Sequence, residues 1–273
     1  MQLATETMNA PPLRTPQASA AVPNSLTDDA FLGGKLQILQ PEKGYRAGID
    51  AVFLAASIPV VDGETVFEAG IGAGTAALCL LARHPLLHIT GIELATRYAV
   101  LCEQNAKRNH YTEQLRVIQG DVKDALRRDL AHMPEHGSFA HAYANPPYFE
   151  DGKNTPSPSL LKAVAHSFGP EDLDLWIKVL AAMVTLRGTV TLIHRADSLG
   201  KILASMEGKL GDIRVAPLYA RVGTAASRVI VQGVKGSRAP MQLLPGLVLH
   251  GPDNGFTPDA EAVLRDGAGW RLR

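Results

Sequence analysis

From about Gly63 onward the chain alternates short β-rich runs with longer helical ones, and that ordering leaves few folds open. Strands joined through helices lie parallel in one sheet, with helices packed on both faces. Glu64 to Glu68 is the first expected strand, and Thr75 to Arg83 an apolar helix ended by His84-Pro85. Leu87 to Glu93, Leu115 to Ile118 and Phe139 to Ala144 are the next three strands. Between them lie an amphipathic helix over Ala95–Arg108 and a charged helix around Val122 to Leu130. Pro170 opens a later helix with Glu171, Asp172 and Asp174 in its first turn, where the helix dipole favours acids. The pattern predicts that it runs to about Leu186 and stops at Gly188. Thr189 to His194 is a fifth strand, Ser198 to Lys209 a helix, and Ile213 to Tyr219 with Arg228 to Gln232 an antiparallel pair. The expectation is an α/β, Rossmann-like fold: a mostly parallel seven-stranded sheet with one antiparallel strand.

What precedes Gly63 is shorter: hairpin-like material at Leu36–Leu39 and a helix over Asp50–Ser57. Residues 1–25 carry Pro11, Pro12, Pro16 and Pro23 among Ala and Thr, with Glu6 and Arg14 their only charges. They lack the basic start and apolar run of a signal peptide and read as a disordered tail. Residues 26–273 are then a single domain with a short N-terminal hairpin and helix extension. No stretch approaches the roughly 20 apolar residues of a membrane span, so a cytoplasmic protein is expected. Lys plus Arg and Asp plus Glu both number 27, which argues against non-specific coating of nucleic acid. Cys79 and Cys102 lie in different helical segments, fitting neither a disulfide framework nor a metal site.

The first strand runs into Glu68-Ala69-Gly70-Ile71-Gly72-Ala73-Gly74, which opens a helix. Glycines let the chain turn tightly and let a ligand lie against backbone N–H groups. An ordinary strand-to-helix turn uses the same residues, so the loop is weak evidence alone. Glu93 ends the second strand about twenty residues on, where a carboxylate can accept from both hydroxyls of a ribose. Asp121 ends the third, placed to accept from an adenine amino group or simply to cap a helix. Acids at three strand ends are harder to dismiss, because ligands of open α/β sheets bind along that edge. Glu68, directly before the glycines, would repel a pyrophosphate yet suits a sulfonium and an ammonium. Its sign favours S-adenosylmethionine over a dinucleotide.

The fourth strand ends in Asn145-Pro146-Pro147-Tyr148. An amino group on an aromatic ring is a poor nucleophile because its lone pair is delocalised. Two acceptors, the Asn145 side-chain oxygen and the Pro146 carbonyl, can bond both of its N–H groups and favour the pyramidal nitrogen. Consecutive prolines stiffen the turn, and Tyr148 offers a face for an extruded base, worth roughly 1–3 kcal/mol.

With these residues in order the chain resembles the bacterial tRNA(valine) adenine-N6 methyltransferase family, class I enzymes of the Asn-Pro-Pro-Tyr type. Gly44-Tyr45-Arg46-Ala47-Gly48-Ile49-Asp50 is similar to that family's segment before the glycine loop, and Leu247-Val248-Leu249-His250-Gly251 with Phe256-Thr257 to its ending. The resemblance spans about Asp28 to the C-terminus. It implies S-adenosylmethionine held by Glu68, Gly70, Gly72, Glu93 and Asp121, and a catalytic motif at Asn145, Pro146, Pro147 and Tyr148. With their neighbours, the expected cofactor contacts are Tyr45, Arg46, Asp50, Glu68, Gly70, Ile71, Gly72, Gly74, Glu93, Leu94, Asp121, Val122 and Asn145. Family members more often carry Asp where Glu68 stands; the longer side chain keeps the carboxylate. No metal is implied, and tRNA is the expected partner.

Other readings compete. Glutamine-N5 protein methyltransferases share Asn-Pro-Pro-Tyr but carry a large helical N-terminal domain, whereas about forty residues precede the core here. Guanine-N2 RNA methyltransferases tend to differ at the position of Tyr148. A catalytically silent RNA-binding protein of the same fold has no need of either the acids or the motif. Tyr45 and Arg46 can cover the cofactor or guide RNA, or be an ordinary surface pair. Tyr148 and His166 are the expected substrate contacts. From Arg187 to Arg238 nine Lys or Arg face three Asp or Glu, an excess able to hold tRNA phosphates. The Gly-, Pro- and Ser-rich loop Glu150–Ser159 can close over a substrate.

Overall fold

The computed structural model describes residues 25–127, 132–147 and 172–272. Tyr148, His166, the loop Glu150–Ser159 and the tail through residue 24 lie outside the described residues. Strands β1 (Leu26–Phe31) and β2 (Leu36–Pro41) form an antiparallel hairpin, and α1 (Ile49–Ser57) leads into the main sheet. There follow β3 (Thr65–Ala69), α2 (Thr75–Arg83), β4 (His88–Glu93), α3 (Thr96–Arg108), β5 (Leu115–Gln119) and β6 (Phe139–Ala144). The rest comprises α4 (Asp172–Met183), β7 (Val184–Arg195), α5 (Leu199–Met206), β8 (Leu210–Tyr219), β9 (Ala226–Lys235), β10 (Gln242–Leu243), β11 (Leu247–Val248) and α6 (Pro258–Glu261).

The strand order is β10-β8-β9-β7-β6-β3-β4-β5, with β11 also on β8. Only β9 runs against its neighbours, pairing antiparallel with both β7 and β8. The seven long strands are those expected; two-residue β10 and β11 widen the edge at β8. Alternation along each strand divides the core. On β3, Val66 packs with α1, α2 and the inner face of α3, while Phe67 and Ala69 pack with α4 and α5. Leu78, Leu80 and Leu81 of α2 are fully buried, and truncating any one to Ala costs about 2–5 kcal/mol.

Two elements depart from expectation. Val122–Leu126 is a five-residue 3-10 turn rather than the start of a charged helix reaching Leu130. The Asp121 side chain caps it by accepting from the Lys123 N–H at 3.0 Å, and Arg127 is already extended. The helix expected to reach Leu186 ends at Met183, because β-branched Val184 pairs with Phe139 of β6. Pairing resumes at His141 with Thr189, so residues 185–188 stand out of the ladder. Gly188 therefore passes a strand rather than ending a helix: a Cβ there would lie 2.7 Å from the Ala140 carbonyl oxygen.

Because β3, β4, β5 and β6 are parallel neighbours, their carboxyl ends at Ala69, Glu93, Gln119 and Ala144 share one edge of the sheet. Among the described residues no helix is long and apolar enough to cross a membrane.

Candidate active site

The glycine turn joins β3 to α2, with φ of 70°, 57° and 85° at Gly70, Gly72 and Gly74. The Gly70 and Ile71 N–H groups both donate to the Ile92 carbonyl, at 2.9 and 3.0 Å, which ties the turn to β4. A Cβ at Gly70 would lie 2.6 Å from the Trp176 ring, whereas one at Gly72 would meet nothing nearer than Tyr45 at 3.8 Å. Gly70 is thus demanded by packing beneath the turn, and Gly72 faces the open side.

The three acids differ in surroundings. Glu93 takes the Gly72 N–H at 2.9 Å on one oxygen and the Ala95 N–H at 2.8 Å on the other, leaving each oxygen a lone pair for a ribose hydroxyl. Desolvation raises its pKa against those bonds. Asp121 caps the 3-10 turn and pairs with Lys123 Nζ at 2.9 Å, so the capping alternative holds for one of its oxygens. Glu68 is buried and accepts from the Tyr143 hydroxyl at 2.8 Å. Burial pushes its carboxyl well above the usual carboxylate range, and the nearby Glu93 pushes the same way.

Asn145, Glu68, Gly70, Ile71, Thr75, Tyr45 and Tyr98 line one cleft. Asn145 therefore faces the glycine turn. Its Nδ2 lies 3.4 Å from the Tyr45 hydroxyl, which it approaches as a donor. Pro146 is buried beside it and Pro147 is half-buried. The Tyr45 ring meets Tyr98 edge-on, with centroids 6.5 Å apart, and the Tyr98 hydroxyl donates to the Tyr45 carbonyl at 3.1 Å. Burial and the acids around it raise the Tyr45 phenol, which stays protonated across the neutral range. The enclosed space is only about 20 Å³. Tyr45 lines it and is 53 % exposed. A larger concavity of about 490 Å³ lies against Arg83, His84 and Arg271 at the C-terminal ends of α1 and α2, away from the acids.

The remaining expected residues sort cleanly. Ile71 is buried in the turn, Leu94 follows Glu93, and Val122 is buried behind Asp121. Arg46 is bound to the hairpin, donating to Asp29 at 2.7 Å and Thr27 at 2.6 Å rather than into the cleft. Asp50 accepts from Arg228 at 2.9 Å at the start of α1. Tyr148 and His166 lie outside the described residues. In the basic span Arg195, Lys209, Arg214 and Arg228 each pair with a carboxylate of the protein, which diverts much of the expected charge excess. Sequence reasoning missed Tyr143, Tyr98, Gln40 and Thr75. Tyr143 was the accessible one, since it stands opposite Glu68 in the β3–β6 register and two residues before Asn145.

The donor set fits S-adenosylmethionine. Among the described residues, Thr75 Oγ1 is buried in the cleft wall without a hydrogen-bond partner, and Glu68 is a buried acid with no cation beside it. Among the described residues no cluster of His, Cys, Asp or Glu could hold a metal ion.

No family profile matches the chain. It is 29 % identical over 161 residues to the tRNA1(Val) (adenine(37)-N6)-methyltransferase of Shewanella halifaxensis, covering 59 % of this chain and 62 % of that protein. Against the enzyme of the same name from Shewanella pealeana it is 26 % identical over 240 residues, 84 % of this chain and 85 % of the relative. Among solved structures, a predicted O-methyltransferase from Agrobacterium tumefaciens superposes with a TM-score of 0.68 at 24 % identity, covering 81 % of this chain and 98 % of that one. An S-adenosylmethionine-dependent O-methyltransferase from Thermotoga maritima follows at 0.51 and 14 % identity, over 72 % and 68 % of the two chains. The superpositions show the fold, and the sequence matches show the kinship. The chain has the Rossmann-like class I methyltransferase fold and is similar in sequence to the bacterial tRNA(valine) adenine-N6 methyltransferases.

Proposed function

We propose that the chain is an S-adenosylmethionine-dependent methyltransferase acting on an exocyclic amino nitrogen, adenine N6 in tRNA. The observation that carries this reading is the meeting of Asn145 with Glu68 and the glycine turn in one cleft. The cofactor supplies an electrophilic methyl group on a sulfonium. Glu68 balances positive charge in the cleft, Glu93 accepts from the ribose hydroxyls and Asp121 from the adenine amino group. The Asn145 side-chain oxygen and the Pro146 carbonyl accept from the two N–H groups of the substrate amine and turn its lone pair toward the cleft. Pro146 and Pro147 hold those acceptors at fixed spacing, so little reorganisation accompanies transfer. No general base is needed, because the methylated ammonium is acidic enough to lose its proton to water. Tyr148 stacks the base and His166 touches the substrate. Residues 26–273 act as a single domain.

The test is nucleoside mass spectrometry on tRNA from a deletion strain complemented with the wild-type chain or with Asn145→Ala. We expect N6-methyladenosine to disappear from one tRNA on deletion, to return with the wild type and to stay absent with the variant, whose cofactor affinity is nearly unchanged. Undiminished N6-methyladenosine in the deletion strain overturns the substrate.

A further inference from the structure

Asn105 sits in the last turn of α3, where asparagine is a poor helix former, and is fully buried. Its Oδ1 accepts from the Leu39 N–H at 2.8 Å, and its Nδ2 donates to the carbonyls of Leu39 and Ala73, both at 2.9 Å. One turn later Asn109 repeats the clamp on β2. Its Oδ1 accepts from the Gln37 N–H at 3.0 Å and its Nδ2 donates to the Gln37 carbonyl at 2.9 Å. The third bond of Asn109 returns to its own helix, at the Asn105 carbonyl, 2.8 Å away. The spacing explains the pairing: two strand residues advance about 6.5–7 Å and four helical residues about 6 Å. Both side chains thus close the open edge of β2, but only Asn105 continues to the glycine turn, at Ala73.

The connection extends across the cleft. Leu39 precedes Gln40, whose Oε1 accepts from the Ala47 N–H at 2.8 Å and whose Nε2 donates to the Ala47 carbonyl at 3.2 Å. Ala47 lies two residues from Tyr45, at the mouth of the cleft. One buried amide therefore joins the glycine turn on one wall to the strand that fixes the Tyr45 segment on the other.

We infer that Asn105 is a positioning residue for the cofactor cleft, setting the distance between the glycine turn and the Tyr45 segment; this rests on the cofactor reading proposed above. Without its amide, the Leu39 N–H and carbonyl and the Ala73 carbonyl lose their partner together, and the two walls relax independently. Binding must then re-form their spacing. Asn109 is the matched control, since its loss also removes three hydrogen bonds and loosens the same strand, yet leaves the glycine turn alone.

The experiment compares the full-length wild type, Asn105→Ala and Asn109→Ala by calorimetric titration with S-adenosylhomocysteine, well below each variant's melting temperature. Both variants should melt lower than the wild type. Asn105→Ala should weaken binding about tenfold, the worth of roughly one hydrogen bond, while Asn109→Ala changes it less than about twofold. Equal losses in the two variants overturn the inference and leave the cofactor reading standing. No binding by the wild type overturns both. Should Asn105→Ala fail to fold, amide hydrogen exchange of the wild type decides instead. S-adenosylhomocysteine should slow exchange at Leu39 several-fold more than at Gln37, and equal slowing at the two sites overturns the inference.

Discussion

Glu68 and Asp121 are both acids near the carboxyl edge of the sheet, but the cleft floor and the rim treat them differently. On the floor, Glu68 is buried, bonded to the Tyr143 hydroxyl and, among the described residues, without a cation, and its carboxyl is held in the protonated direction. At the rim, Asp121 already caps a turn and pairs with Lys123, whose side chain is largely exposed. The floor is an unmet electrostatic demand; the rim is a satisfied one. A cation arriving at the floor pairs with a carboxyl in a low-dielectric site, where attraction is stronger than at the rim, and that attraction offsets the cost of ionising Glu68, which its proton avoids in the unliganded fold.

The sharpest way to break this contrast is Glu68→Gln, which keeps an acceptor for Tyr143 and removes the charge. We expect the dissociation constant for S-adenosylmethionine to rise ten- to a hundredfold, in line with charge-assisted hydrogen bonds of about 1.5–3 kcal/mol. Titration calorimetry checks it, and an unchanged constant would move the cation's partner elsewhere.

A proton-linked measurement comes next in size. The folded chain holds the Glu68 proton above the ordinary value of 4.5, at which the unfolded chain releases it. Between those two pKa values the native state binds more protons, so unfolding free energy falls as pH rises, by up to ~1.4 kcal/mol per pH unit from this group. Glu68→Gln should remove that part of the slope in denaturant melts taken from pH 4.5 upward. Cofactor affinity of the wild type should rise through the same window, as the acid becomes free to ionise.

The smallest effect belongs to Asp121→Asn. It retains the cap acceptor and loses an ion pair whose lysine is largely exposed, worth about 1 kcal/mol. Affinity should change less than about threefold; a loss as large as that of Glu68→Gln would erase the distinction between floor and rim.

How much of this could be read beforehand follows from range along the chain. The expected strand Phe139–Ala144 and helix Thr75–Arg83 match the structure at both ends, because alternation and flanking turn residues are local signals. The candidate edge was legible for the same reason, since Glu68, Glu93 and Asn145 each close a strand. The Asp121 cap was legible only as an alternative, since a capping Asp and a ligand-binding Asp occupy the same position. Asn105 gave no warning, as an asparagine in a helix ordinarily faces water and its partners lie 66 residues away on β2 and 32 away in the glycine turn. The end of α4 was misjudged because the pull of β6 on Val184 is a tertiary effect that helical periodicity does not contain.

Glu68 and Tyr143 are cross-strand partners on β3 and β6. Sliding one strand past the other by a single residue would turn one of the two side chains to the opposite layer, where α4 and α5 pack. The carboxyl would then be buried with no hydroxyl to hold it, a penalty large enough to reject the shifted pairing during assembly. Correct alignment of these two strands and an intact anionic pocket are therefore the same event, so molecules that misalign should be inert rather than sluggish.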